Sequence, residues 1–540
     1  MVSAQLTPPG TVTPPREHPV RSLYERHRVP LLATLPMVPL YAVWWLFLAT
    51  GGGDLAAQYA WAGFVSEHGG SAYNLSWYGG THTAHYSLVA PYLMAALGVR
   101  TVTVLSGIAA SWLAAVLIRR TGTPRPLGPA LLASLALWCN VASGRTAFAL
   151  GVALGLAACV PLIRHKRILL AAAYATLATM ASPVAGLFLA VVGVGFLHAR
   201  EVARAGALLV PPVVVVGLTA LLFPFTGEQP MPESHVWPPV VLAAAVAVLA
   251  PSRWRTARRS AAVYAAGTLL VYFLPSPVGT DVERFAELFA PAVLLAALLS
   301  LPRMARARRV LLVAALGCSV IWVGQKTADD LRASTGVPAW ASDTGGVLRA
   351  LDRLGADRAR VEVVPARDHR EASGLGPHLS LARGWNRQLD VERGRLFYDG
   401  TFSAAAYRAW LDRWAVGFVA LPEASPDGYA RQEARLLRER RPDWLEPVWR
   451  DAHWTVYRVR DAVPLVSSPG SVVRASPDEL VLRVPRPGQV TVRVAYSPWL
   501  RSDGGCLSRD GEFTRLGVLA AGEYRISSEY GPSADPQSRC

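Results

Sequence analysis

The sequence predicts a polytopic α-helical membrane protein of about eleven transmembrane helices, followed by a C-terminal extracytoplasmic region of α/β and then β-sandwich character. Three observations predict it. Of 540 residues, 52% are hydrophobic and 17% charged, and mean hydropathy is +0.27. An ordinary soluble domain is more charged and less apolar. The apolar residues gather in long runs through roughly the first 325 positions, as spans of about 20 apolar residues require. Arginines cluster in the short segments between those runs, the pattern of the positive-inside rule.

Taken in order, residues 1–28 are Pro-rich and basic (Arg16, Arg21, Arg26, Arg28) and read as a disordered cytoplasmic tail. No small-residue cleavage site accompanies the first apolar run, which is therefore expected to act as an uncleaved anchor. The expected membrane part, 29–325, contains runs at 29–50, 101–118, 127–143, 147–163, 168–181, 183–199, 205–223, 237–252, 261–276, 285–302 and 309–325. With the N-terminus inside, the inner loops hold Arg119, Arg120 and Arg125, then Arg164, Lys166 and Arg167, then Arg200 and Arg204. Further inner loops hold Arg253, Arg255, Arg258 and Arg259, then Arg303, Arg306, Arg308 and Arg309. The outer loops hold only Arg100, Arg145 and Arg284. That bias sets the orientation and places the C-terminal region outside. The first outer loop, 51–100, includes the apolar piece Tyr86 to Gly98. A full span there would turn every later arginine outward, so an interfacial or re-entrant helix is expected.

Residues 326–343 read as a linker within an α/β region extending to 463. Helical spacing is seen from Gly345 to Gly355, Ser403 to Trp414 and Asp427 to Arg440; strands are expected at Arg360 to Pro365, Val416 to Leu421 and in a hairpin around 447–459. From 464 to 540 only strands separated by Pro and Gly turns appear, which predicts a small β-sandwich.

The net charge of +16 raises the question of nucleic acid, but the arginines sit between apolar runs, where topology accounts for them; the expected surroundings are a lipid bilayer and no nucleic acid. Lysine occurs only at Lys166 and Lys326. That bias, with abundant Ala and Gly, matches GC-rich, actinobacterial-like genomes and points to a bacterial plasma membrane. Cys139, Cys159 and Cys318 fall in apolar runs as packing residues, whereas Cys506 and Cys540 could form a disulfide if the tail is outside.

No phosphate-cradling loop, CxxC, HExxH or GxSxG is present, so no metal ligands or motif nucleophile are predicted. What remains is a set of polar groups on one expected face. Asp54 follows Gly51-Gly52-Gly53 where the first span ends, and an ionisable group at a membrane boundary is a functional candidate; it could equally mark the water boundary of a helix. Glu67 is the nearest second carboxylate in the loop. Trp77, Tyr78 and His82 could hold a sugar by stacking and hydrogen bonds, and Gln58, Glu233, His235 and Asp281 are further substrate-binding candidates. Arg145 and Arg284 break the depletion of outward positive charge. Each could pair with a lipid phosphate through its planar fork, or with a protein carboxylate such as Asp281 or Glu283.

These pieces resemble the GT-C superfamily of membrane glycosyltransferases. The resemblance rests on Gly53-Asp54 after the first span, Ser143-Gly144-Arg145 at the start of another, Ser182-Pro183-Val-Ala-Gly, and Glu283-Arg284-Phe before a Pro-containing span. It covers residues 29–325. It implies an enzyme that moves a sugar from a polyprenyl-phosphate donor to a carbohydrate or other cell-envelope acceptor on the outer face. It also implies Asp54 as general base, although many members carry two adjacent acidic residues and here the sequence is Gly53-Asp54-Leu55. Arg145 and Arg284 would bind the donor phosphate. No cofactor is evident, although some relatives use a divalent metal. The rival readings are a transporter or flippase for an envelope precursor and a non-catalytic envelope assembly protein.

Overall fold

The computed structural model describes residues 19–164, 167–300 and 305–531; the first eighteen residues of the expected tail and Cys540 lie outside them. From Pro19 the chain is already helical, earlier than the sequence reading placed it. Positions 20–29 contain neither Gly nor Pro, and Leu23, Glu25 and the arginines favour helix.

A helix lies on every expected apolar run. The first is built in pieces: α1 (Pro19–Thr34), a 3₁₀ turn at Leu35–Met37, α2 (Val38–Val43) and a π turn at Trp44–Leu48. Pro36 and Pro39 remove two ladder donors there. Next come α3 (Asp54–His68) and α4 (Ala90–Leu97), both within the first long loop, with the short antiparallel strands β1 (Tyr73–Asn74) and β2 (Thr81–His82) between them. Then follow α5 (Val99–Arg120), α6 (Leu127–Ala142), α7 (Thr146–Arg164), α8 (Ile168–Ala181), α9 (Pro183–His198), α10 (Val202–Leu222), α11 (Trp237–Leu249), α12 (Arg255–Phe273), α13 (Glu283–Ser300) and α14 (Arg306–Ser334).

Among the described residues, five segments are long and apolar enough to cross a membrane: His27–Leu48, Val99–Arg120, Thr146–Ile163, Val202–Leu222 and Arg306–Ser334. Four other apolar helices are shorter. Helices of 14 to 16 residues rise about 21 to 24 Å, short of a bilayer core of about 30 Å. Leu46, Phe47, Leu169, Val213 and Leu221 all point outward and exposed. Apolar surface on this scale identifies a membrane protein.

The last apolar helix does not end where a linker was expected. It runs on to Ser334, because neither Gly nor Pro interrupts the chain over 325–335, up to Gly336. Beyond it lies a four-stranded sheet of order β3-β4-β6-β5, formed by β3 (Arg360–Val363), β4 (Val416–Pro422), β5 (Leu445–Arg450) and β6 (Trp454–Val459). β3 and β4 are parallel; the other pairs are antiparallel. The helix expected over Asp427 to Arg440 is split into 3₁₀, α and π turns.

The C-terminal strands are β7 (Ser471–Ala475), β8 (Glu479–Val484), β9 (Gly488–Ala495), β10 (Leu500–Ser502), β11 (Cys506–Asp510), β12 (Phe513–Val518) and β13 (Gly522–Ser528). They form two sheets, β10-β13-β8-β7 and β11-β12-β9. Leu482, Val492, Leu516 and Ile526 fill the space between them, the inward half of the strand alternation. Cys506 is disulfide-bonded.

Candidate functional site

Asp54 owes its position to the glycines before it. Gly53 has φ +64°, open to glycine at little cost, and a Cβ there would lie 3.1 Å from Ser334 Cβ. The chain turns at this point and Asp54 enters the first turn of α3, where unpaired backbone N–H groups favour a carboxylate. Gly144 does the same for Arg145: its φ is +77°, and a Cβ would meet Leu55 Cγ at 2.7 Å.

The two turns bring charges together. Asp54 Oδ2 lies 3.5 Å from Arg145 Nε and 4.0 Å from Arg284 Nη2. Arg145 also reaches Glu287 (2.8 Å) and Asp330 (3.2 Å). Arg284 pairs with Asp281 at 2.7 Å and lies over the Phe148 ring. Behind them, Lys326 Nζ bridges Glu283 (2.5 Å) and Glu287 (2.6 Å), and His235 Nδ1 is 3.2 Å from Glu283. Gln58, one turn along α3, is buried with its side-chain oxygen unpartnered. Burial pushes the Asp281 carboxyl above its ordinary value, against the pull of Arg284.

Within this network both arginines are held by protein carboxylates. The five carboxylates differ in access. Asp54 and Asp330 are 34% and 38% exposed, whereas Glu283 and Glu287 are 2% and 10%. The two solvent-facing carboxylates are therefore the ones an incoming anion can displace. Among the described residues no group of three or more His, Cys, Asp or Glu could hold a metal ion.

Asp54, Arg145, Arg284, Asp281, Gln58 and His235 thus lie in or beside one cluster. The other expected residues do not. Glu67 is exposed at the far end of α3, thirteen residues or about 20 Å from Asp54. Trp77 and Tyr78, expected to stack on a sugar, are 2% and 1% exposed and belong to a core with Trp61, Val361 and Leu381. The Trp77 backbone bridges to Leu381 of the C-terminal region, and its indole is packed in the core they share. His82 is buried too, with Nδ1 2.9 Å from the Ala72 carbonyl and Nε2 2.9 Å from Ser497 Oγ. Burial lowers its pKa to about 4, so it is a neutral structural link. Glu233 is exposed, and its carboxylate accepts from the Trp237 indole at 3.5 Å. The sequence reading missed Lys326 and Asp330. Their spacing of four residues on one helix face was the available signal, hidden by the assumed linker.

A segment of the C-terminal region is bonded to the chain on either side of this cluster. Arg370 donates to the Thr50 carbonyl (2.6 Å), Thr50 Oγ1 (2.8 Å) and the Ser334 carbonyl (2.6 Å). Gly53 N–H donates to the Asp368 carbonyl at 2.7 Å, and Trp385 Nε1 to the Gly53 carbonyl at 3.1 Å. The backbone leading into Asp54 and the end of the helix carrying Asp330 are thereby tied together. His369 stacks on Trp385 with centroids 3.5 Å apart and lies between Glu371 (3.3 Å) and Asp427 (3.6 Å).

Burial opposes the charge on His369, but Asp427 and Glu371 outweigh it and raise the pKa to about 9. A folded value above the unfolded ~6.5 means stability that is complete below about pH 6.5 and lost as pH rises through 9. Thermal unfolding followed by Trp fluorescence should show this decline in the wild type and a flatter profile in His369→Gln. Equal slopes would contradict the assignment.

Residues 467–505 match a family model described as a domain of unknown function, DUF8823. No curated protein matches the chain. Among solved structures, the chain is similar to the arabinofuranosyltransferase AftD from Mycobacteria, with 17% identity and a TM-score of 0.43 over 86% of this chain and 41% of that one. A mutant AftD structure gives 13% identity and a TM-score of 0.41 over 96% and 60%. The chain spans less than two thirds of either.

Proposed function

We propose that this protein is a membrane glycosyltransferase of GT-C type. It would move a sugar from a polyprenyl-phosphate donor to a cell-envelope acceptor at the outer face of a bacterial plasma membrane. The observation that supports this best is the placement of Asp54 Oδ2 within 4.0 Å of both Arg145 and Arg284, beside a belt of apolar helices.

The chemistry follows from the pairing. The donor phosphate displaces Asp54 and Asp330 from Arg145 and takes their place on its fork. Glu287, more deeply buried, stays and holds the guanidinium. As the bond from the anomeric carbon to the phosphate oxygen breaks, Arg145 and Arg284 stabilise the anion that leaves. Asp54, released from its ion pair, accepts the proton of the acceptor hydroxyl whose oxygen forms the new bond.

The test is transfer by the purified protein in lipid, from a panel of radiolabelled polyprenyl-phosphate sugars to an envelope extract. Arg284→Gln should lower transfer by about 10²- to 10³-fold, the effect of removing one preorganised donor from a developing anion. Undiminished transfer in Arg284→Gln and Arg145→Gln would remove the cluster from the site. Absence of transfer with every donor, together with donor flipping across vesicles, would return the protein to the transporter reading.

A further inference from the structure

A second cavity lies apart from the charged cluster. It has a volume of about 200 Å³ and opens between Leu75-Ser76 of the first loop, residues 377–380 and the strand ends at 475–480. Its position follows from α3. His68, at the end of that helix, is 3.3 Å from Asp478, and Leu75 N–H donates to the Pro477 carbonyl at 2.7 Å. The length of α3, about 20 Å from Asp54 to His68, separates the two places.

Arg360, the first residue of β3, lines this cavity and is 1% exposed. Its guanidinium donates to two carbonyls, Trp414 O and Arg493 O (2.9 Å for the second), and rests 6.0 Å from the Trp414 ring centroid. Its Nε is buried without a partner. No carboxylate pairs with it among the described residues. The acidic groups that line the same cavity are engaged elsewhere: Asp357 with Arg358 at 3.8 Å, and Glu479 with Arg474 and Arg525.

A buried cation without a counter-charge is costly, and this chain elsewhere avoids the situation. Arg383, as deeply buried in the same region, sits between two glutamates. Arg360 instead has Arg393 as its charged neighbour; burial and that neighbour pull its pKa down to about 9. An anion in the cavity would relieve both effects. Ser76, Ser380, Ser476 and His378 add hydrogen-bonding groups to the lining. Pockets for drug-sized ligands run to about 300–1,000 Å³, so this one suits a single small ring or less.

We infer that the cavity at the junction of the first loop and the two C-terminal sheets binds a small ligand carrying one anionic group, whose oxygen pairs with Arg360. The group is a carboxylate or a phosphate, since an oxygen of either accepts a charge-assisted hydrogen bond from a guanidinium N–H. The inference does not depend on the proposed transferase activity.

Isothermal titration of the full-length protein in lipid nanodiscs tests it, at constant ionic strength, with inorganic phosphate, glucuronate and glucose as probes. Saturable binding of phosphate would identify the phosphoryl source, and of glucuronate the carboxylate source; glucose should not bind. Ser380→Trp fills the cavity and leaves Arg360 in place, and should weaken the anion at least tenfold. Arg360→Gln should do the same; should it fail to fold, Ser380→Trp still decides. No saturable anion binding by the wild type, glucose binding as tight as glucuronate, or binding unchanged in Ser380→Trp would each overturn the inference.

Discussion

Asp54→Asn is expected to reduce sugar transfer by about 10²- to 10⁴-fold, the range for removal of a positioned general base. The substitution keeps the shape of the side chain and its place at the start of α3, but not its ability to accept a proton. It also removes the carboxylate facing Arg145 and Arg284. Donor binding should therefore be unchanged or tighter, because the incoming phosphate no longer displaces a charge. A fall in kcat without a rise in KM for the donor is the expected signature. Transfer within about threefold of the wild type would show that another group takes the proton, and Asp281, which burial holds above the ordinary carboxyl range, would be examined next.

Arg383→Met is expected to destabilise the C-terminal region by about 3 to 5 kcal/mol, the cost of breaking a buried ion pair from one side. Arg383 contacts Glu362 and Glu433, both wholly buried, and its guanidinium carbon lies 3.9 Å from the Phe397 ring centroid. The Tyr407 hydroxyl donates to Glu433 at 2.7 Å but cannot neutralise two carboxylates. Methionine fills much of the volume, so the loss reports the stranded charges rather than a cavity. Denaturant unfolding of the variant measures it, and Arg383→Met combined with Glu362→Gln and Glu433→Gln should recover part of the loss. A change below about 1 kcal/mol would show that the pairing is replaceable at little cost.

Several features were legible before any coordinates. A helix sits on every apolar run, since a long apolar stretch in a bilayer has few alternatives to helix. The alternation in 479–484 and 489–494 gave strands with Leu482 and Val492 facing inward. Asp54, Arg145 and Arg284 stood out because charge at the edge of an apolar run is unusual, and they do meet. Their partners were only half visible. Pairing of Arg284 with Asp281 was one of two open readings, while Lys326 and Asp330 were lost to a linker that is helix.

The sequence by itself determined the helices on the apolar runs, the alternating strands and which charges stand where apolar runs end, because these follow from local periodicity and from the cost of placing charge in hydrocarbon. Tertiary structure alone decided which polar and aromatic residues of the first loop face a site. Trp77, Tyr78 and His82 read as a sugar-binding surface until Leu381 and Ser497, some three hundred or more positions later, cover them. It also decided that Arg383 is neutralised and Arg360 is not. Local sequence reports the character of a surface, but which distant element covers that surface depends on how the whole chain packs.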